Sequence, residues 1–136
     1  MSIAVDTNVL VRILIQDSTA PKQCAAARRL VEEATAAGEP LFVSLCALLE
    51  TEWVLRSRYR VGRKAMVSAL IAMLESPGIE FEQDATVEEA LYLLEQFPDA
   101  DFADCLLVAR ATHLGRSRFL TFDAGAARLP RAELLA

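Results

Sequence analysis

The chain has 136 residues, 54% of them hydrophobic, and a formal net charge of −5. That length and apolar content suit one globular domain with a sizeable core and exclude a disordered chain. The acidic balance excludes non-specific nucleic-acid binding by a generally basic surface, and no apolar run is long enough for a membrane helix.

The N-terminus lacks the basic start and cleavage pattern of a secretory signal, and Asp6 and Arg12 interrupt its apolar run, so a cytoplasmic protein is expected. Cys24, Cys46 and Cys105 are odd in number, widely spaced and set among apolar neighbours. Without a Cys-x-x-Cys pair they are expected to be buried free thiols rather than disulfides or zinc ligands.

Ile3 to Val5 has β-branched content and is short, which suits a buried strand. Asp6-Thr7-Asn8 supplies side chains that accept from free backbone N–H groups, and an apolar helix should follow over Val9 to Ile15. Asp17 to Ala20 breaks it, and Pro21 opens a helix running to about Ala37, closed by Gly38. Leu41-Phe42-Val43 predicts a second strand. Ser44 then caps a helix carrying Leu45, Leu48, Leu49, Trp53 and Leu55, with Gly62 interrupting near its end. Another helix is expected from about Arg63 to Glu75, stopped by Ser76-Pro77-Gly78.

Ile79 to Phe81 alternates like a third strand, and Thr86 to Phe97 reads as a helix ended by Pro98. Asp101 to Leu114 is a further helix, closed by Gly115. Phe119 to Phe122 is a strand ending at Asp123. Ala124 to Leu129 has room for one or two helical turns, and Glu133 to Leu135 for an edge strand. Strands alternating with helices predict an α/β fold: a narrow parallel sheet flanked by helices on both faces, one domain over residues 1–136.

Four acids fall where this topology would let them converge. Asp6 and Asp123 each follow an apolar strand, Asp104 lies in the first turn of the late helix, and Glu50 lies in the helix after the second strand. Each also has a structural reading. Asp6 and Asp123 suit caps, and Asp104 is favoured near a helix N-terminus by the macrodipole. Asp101 reads as a cap or an accessory acid. Glu50 and Glu52 project about 200° apart, and periodicity does not choose between them.

Clustering has a consequence that capping lacks. Two carboxylates about 5 Å apart at an effective dielectric near 20 repel by roughly 3 kcal/mol, so a cluster either protonates or holds a cation. Oxygen ligands suit Mg²⁺ or Mn²⁺, the equipment of metal-assisted phosphodiester hydrolysis. His113 is the one histidine, which excludes a two-histidine nuclease, and no Gly-rich phosphate loop or Gly-x-Ser-x-Gly elbow is present. A phosphatase with Asp6 as nucleophile would want an acid where Asn8 stands, and a late lysine, whereas only Lys22 and Lys64 exist.

Val5 to Val11, Leu48 to Arg56, Asp101-Phe102-Ala103-Asp104-Cys105 and Leu120-Thr121-Phe122-Asp123 resemble, in order, the motifs of PIN-domain ribonucleases. The likeness is greatest to the toxins of VapBC toxin–antitoxin pairs. It covers essentially the whole chain, and the ordered set is specific where no single motif is. It implies a PIN-like parallel α/β fold and Mg²⁺- or Mn²⁺-dependent endoribonuclease activity that leaves a 5′-phosphate and a 3′-hydroxyl. By resemblance Asp6 and Asp104 match direct metal ligands. Glu50 matches the helix acid, because Leu55 follows at the family's interval, and Asp123 matches the fourth position. Thr7 and Asn8 would brace the loop that positions Asp6.

Implied partners are an RNA substrate, a small cognate antitoxin and a second copy of the chain. The basic run Arg56, Arg58, Arg60, Arg63 and Lys64, with Tyr59 for stacking, is a candidate RNA rim, as is Arg12; a solvated helix end and loop is the other reading of the run. The rival functional class is a catalytically inactive PIN-like module that binds RNA or protein. Intact acids at all four matching positions speak against it.

Overall fold

In the computed structural model, residues 3–136 are described, and they form two compact units, one up to Glu82 and one from Gln83 onward. The first holds β1 (Ile3–Ala4), α1 (Thr7–Leu14), α2 (Pro21–Ala37), β2 (Leu41–Val43), α3 (Leu45–Ser57), α4 (Arg63–Glu75) and β3 (Ile79–Phe81). The three strands are parallel in the order β1-β2-β3, with Ile3 opposite Leu41 and Leu41 opposite Ile79. Parallel neighbours need a crossover between them, and the helix pairs α1–α2 and α3–α4 supply it.

β2 lies in the middle of this sheet, and Leu41 and Val43 are buried while Phe42 is half-buried. Leu10 and Val11 of α1, Cys24 and Ala27 of α2, Leu48 and Leu55 of α3, and Met66 and Leu70 of α4 complete the core. Burying one such leucine contributes about 1.5–3 kcal/mol. Local signals set the boundaries. The Ser44 hydroxyl accepts from the Ala47 N–H at 3.1 Å and starts α3. Gly38 ends α2 in the left-handed region at φ 68°, where a side chain would be strained.

The second unit holds α5 (Asp84–Gln96), α6 (Phe102–His113), β4 (Phe119–Thr121), a 3₁₀ turn at Ala126–Arg128 and β5 (Ala132–Leu134). α5 and α6 pack on each other through stripes at helical spacing, Val87, Ala90, Leu91 and Leu94 against Phe102, Cys105, Leu106 and Ala109, all buried. β4 and β5 are parallel to each other in a sheet of their own. The α/β class with parallel strands is therefore the observed one, with the strands divided between two sheets. The tail does form a strand, at Ala132–Leu134, and Ala124 to Leu129 yields only one 3₁₀ turn.

Three burial expectations are corrected. β1, expected as a buried strand, has both of its residues exposed, because it is an edge strand of the sheet. Cys46 is exposed, not buried, although Cys24 and Cys105 are buried and all three are free. Trp53 is 58% exposed. Both fall on the outward stripe of α3, Cys46, Glu50, Trp53 and Ser57, while Ala47, Leu48, Thr51, Glu52 and Leu55 form its inward face. No helix among the described residues is long and apolar enough to cross a membrane.

Candidate functional site

In the first unit the chain leaves β1 and enters α1 almost at once, so Asp6 is the N-cap residue of α1. Its Oδ1 accepts from the Val9 N–H at 3.0 Å, which leaves the second carboxylate oxygen without a partner among the described residues. The capping reading of Asp6 is thus real and uses half of the carboxylate. Thr7, only 9% exposed, donates its hydroxyl to Glu50 Oε1 at 2.5 Å. That bond ties the α3 acid to the residue beside Asp6. Glu52 faces the other way, 5% exposed and paired with Arg56 Nε at 3.0 Å. Asn8, expected to brace the loop, makes no side-chain hydrogen bond among the described residues, so the bracing falls to Thr7 alone.

The second unit gathers three further acids. Asp101 caps α6, its Oδ1 accepting from the Asp104 N–H at 2.9 Å. Asp104 sits one turn into the helix, and its carboxyl is pushed up to about 6. Desolvation is the main cause, followed by the charge of Asp101, a hydrogen bond in which Asp101 accepts the Asp104 proton, and the charge of Asp123. Asp123 leaves β4 through a tight turn in which its N–H donates to Thr121 Oγ1 and its Oδ1 accepts from the Gly125 N–H, both at 3.0 Å.

Gly125 has a role that reading the sequence missed. Its φ of −66° is ordinary, so the constraint is space: a Cβ there would stand 2.2 Å from the Asp99 carbonyl oxygen. The turn after β4 therefore lies hard against the segment leading into α6. Arg128 and Asp99, paired at 3.0 Å, clip the same two segments together. A small residue two places after a strand-ending acid is the only trace of this in the sequence.

The structure reassigns two of the candidate RNA contacts. Arg12 donates from Nε to Gln23 Oε1 at 2.8 Å and from a terminal nitrogen to the Tyr59 hydroxyl at 2.8 Å, with Asp17 at 3.5 Å. Tyr59 in turn donates to Asp17 at 2.7 Å, and Arg58 lies 5.4 Å from its ring centroid. The hydroxyls of Thr19 and Tyr59, the Thr19 N–H and the Arg12 charge hold Asp17 well below the usual carboxylate range. Arg12 and Tyr59 thus knit α1 to the end of α3 rather than standing free as a phosphate contact and a stacking platform.

Four acids among the described residues are held in ion pairs: Asp17, Glu52, Asp99 and Glu133. Asp6, Glu50, Asp101, Asp104 and Asp123 have no cationic partner there. No group of three or more His, Cys, Asp or Glu side chains in the described residues stands at metal-ligand spacing. The donor chemistry does fit a hard divalent ion: every candidate is a carboxylate, and Asp104 carries an uncompensated electrostatic penalty that a cation would relieve.

No curated relative matches the chain. The model of the PIN domain, a family of typically metal-dependent nucleases, matches residues 3–132 and so takes in both units and all four candidate acids. On that match, covering nearly the whole sequence, the chain belongs to the PIN-domain family.

Proposed function

We propose that this protein is a divalent-metal-dependent endoribonuclease, the toxin of a type II toxin–antitoxin pair, built as one PIN domain over residues 1–136. The observation that carries the reading is the gathering of Asp101, Asp104 and Asp123 at the start of α6. Desolvation and the charges of Asp101 and Asp123 push the Asp104 carboxyl up to about 6, and no cation among the described residues pairs with Asp101, Asp104 or Asp123. Crowding carboxylates against a partly desolvated one is costly, and a bound cation offsets that cost.

In this account Asp6, through the oxygen not used in capping, and Asp104 hold Mg²⁺ or Mn²⁺. When bound, the ion lowers the pKa of a water and neutralises charge developing on the phosphodiester. Glu50, steadied by the Thr7 hydroxyl, orients and accepts a proton from the attacking water. Asp123, its other oxygen fixed by the Gly125 N–H, adds negative charge that strengthens cation binding. Asp101 acts as the cap of α6, and its charge raises the demand of Asp104 for a counter-ion. A small antitoxin protein would block the enzyme, which is proposed to work as a homodimer in the cytoplasm.

The test is incubation of the purified protein with total RNA in Mn²⁺ or Mg²⁺ and in chelator. Cleavage that needs the ion and is lost in Asp6→Asn and Asp104→Asn is expected. Intact RNA under every metal condition, with the protein folded, would favour a non-catalytic binding module.

A further inference from the structure

Beside Asp6, a cavity of about 480 Å³ opens between α1 and α2. α1 contributes Asn8 and Arg12, one turn apart, and α2 contributes Gln23, Ala26 and Leu30 along one stripe. Its volume is that of a small-molecule site, and it combines an apolar wall with a few polar groups, as such sites do. Its polar edge is pre-oriented. An arginine can only donate, so the Gln23 oxygen must face Arg12 Nε at 2.8 Å, which leaves the Gln23 amide N–H₂ unpaired among the described residues. Arg12 is itself fixed by Tyr59 and Asp17. The Asn8 amide has no partner among the described residues and can both donate and accept.

We infer that this cavity takes the base of a nucleotide flanking the phosphodiester that is cut, with Asn8 and Gln23 reading its edge and Ala26 and Leu30 packing on its face. A phosphate fits poorly, because Asp17 already balances Arg12 and the Asp6 carboxylate borders the opening. A planar group with apolar faces and a donor–acceptor edge matches the lining better. The inference rests on the ribonuclease reading for its substrate, but the binding can be tested apart from cleavage.

The four ribonucleoside 5′-monophosphates, and ribose 5-phosphate as a baseless control, are titrated into the full chain in chelator. The Asn8 and Gln23 side-chain amide signals are followed by NMR. Base-dependent shifts are expected with at least one nucleotide, none with ribose 5-phosphate, and none in Ala26→Leu, which fills the cavity from an exposed helix position. Gln23→Leu, which keeps the side chain's bulk without its amide, should weaken binding about tenfold and serves if Ala26→Leu misfolds. Equal shifts with ribose 5-phosphate, no shift with any nucleotide, or unchanged binding in the folded variants would overturn the base pocket. Base-dependent binding without metal-dependent RNA cleavage would instead leave the pocket standing and refute the nuclease reading.

Discussion

Replacing Asp104 by Asn should make the metal-free protein more stable at neutral pH. The native carboxyl is raised from 3.8 to about 6, so ionising it costs the folded state more than the unfolded chain. That difference corresponds to about 3 kcal/mol, and solvent screening of a partly exposed group reduces it to about 1–1.5 kcal/mol. The sign fixes the pH window. Below 3.8 the group is protonated in both states and Asn should bring no gain. Between 3.8 and 6 the native state binds more protons than the unfolded one, so wild-type stability falls as pH rises. Above about 6 the penalty is complete, and the advantage of Asp104→Asn should level off.

Urea unfolding in chelator at pH 4, 5, 6 and 7.5 measures this. Adding Mn²⁺ should then stabilise the wild type and leave Asp104→Asn nearly unmoved, reversing their order. A pH-independent difference between the two proteins, or equal stabilisation of both by Mn²⁺, would refute the reasoning. The first would make Asp104 an ordinary helix-start acid, and the second would place the ion elsewhere.

The other expectations concern the neighbours of these acids. Thr7→Val keeps the shape but removes the hydrogen bond to Glu50; it should cost about 1 kcal/mol and lower kcat, while Thr7→Ser should restore both. Glu50→Gln should reduce RNA cleavage with little effect on Tm. Arg56→Met should do the opposite, losing about 1–3 kcal/mol by stranding the buried Glu52 carboxylate. Gly125→Ala should destabilise by about 1–3 kcal/mol, because the atom it meets is a backbone carbonyl oxygen that cannot rotate away; differential scanning calorimetry reads this. A thiol reagent should titrate one cysteine, Cys46, in the native protein and three after denaturation.

Much of the fold was legible because its elements carry local marks. α2 runs over Pro21–Ala37 and α4 over Arg63–Glu75, the limits that Pro21, Gly38 and Ser76-Pro77 signal chemically. The Ser44 cap and the parallel strands at Leu41 and Ile79 were equally readable. What depends on tertiary packing was not. An apolar Trp53 on the outward stripe of α3 defeats periodicity, since a helix with apolar residues all round does not announce its buried face. The same ambiguity hid the difference between Glu50 and Glu52, which differ in Thr7 on one side and Arg56 on the other. Arg12 and Tyr59 looked available because their partners, Gln23 and Asp17, lie on other elements of the chain.

A divalent ion held by carboxylates of this PIN domain is central to the proposed RNA cleavage. The most direct test is calorimetric titration of Mn²⁺ into the wild type, Asp6→Asn and Asp104→Asn, followed by RNA cleavage assays on the same samples. Saturable binding by the wild type is expected, with binding weakened about tenfold or more in each variant and cleavage falling in parallel. RNA cleavage that persists in chelator, or Mn²⁺ binding unchanged in both variants, would contradict this role of the ion.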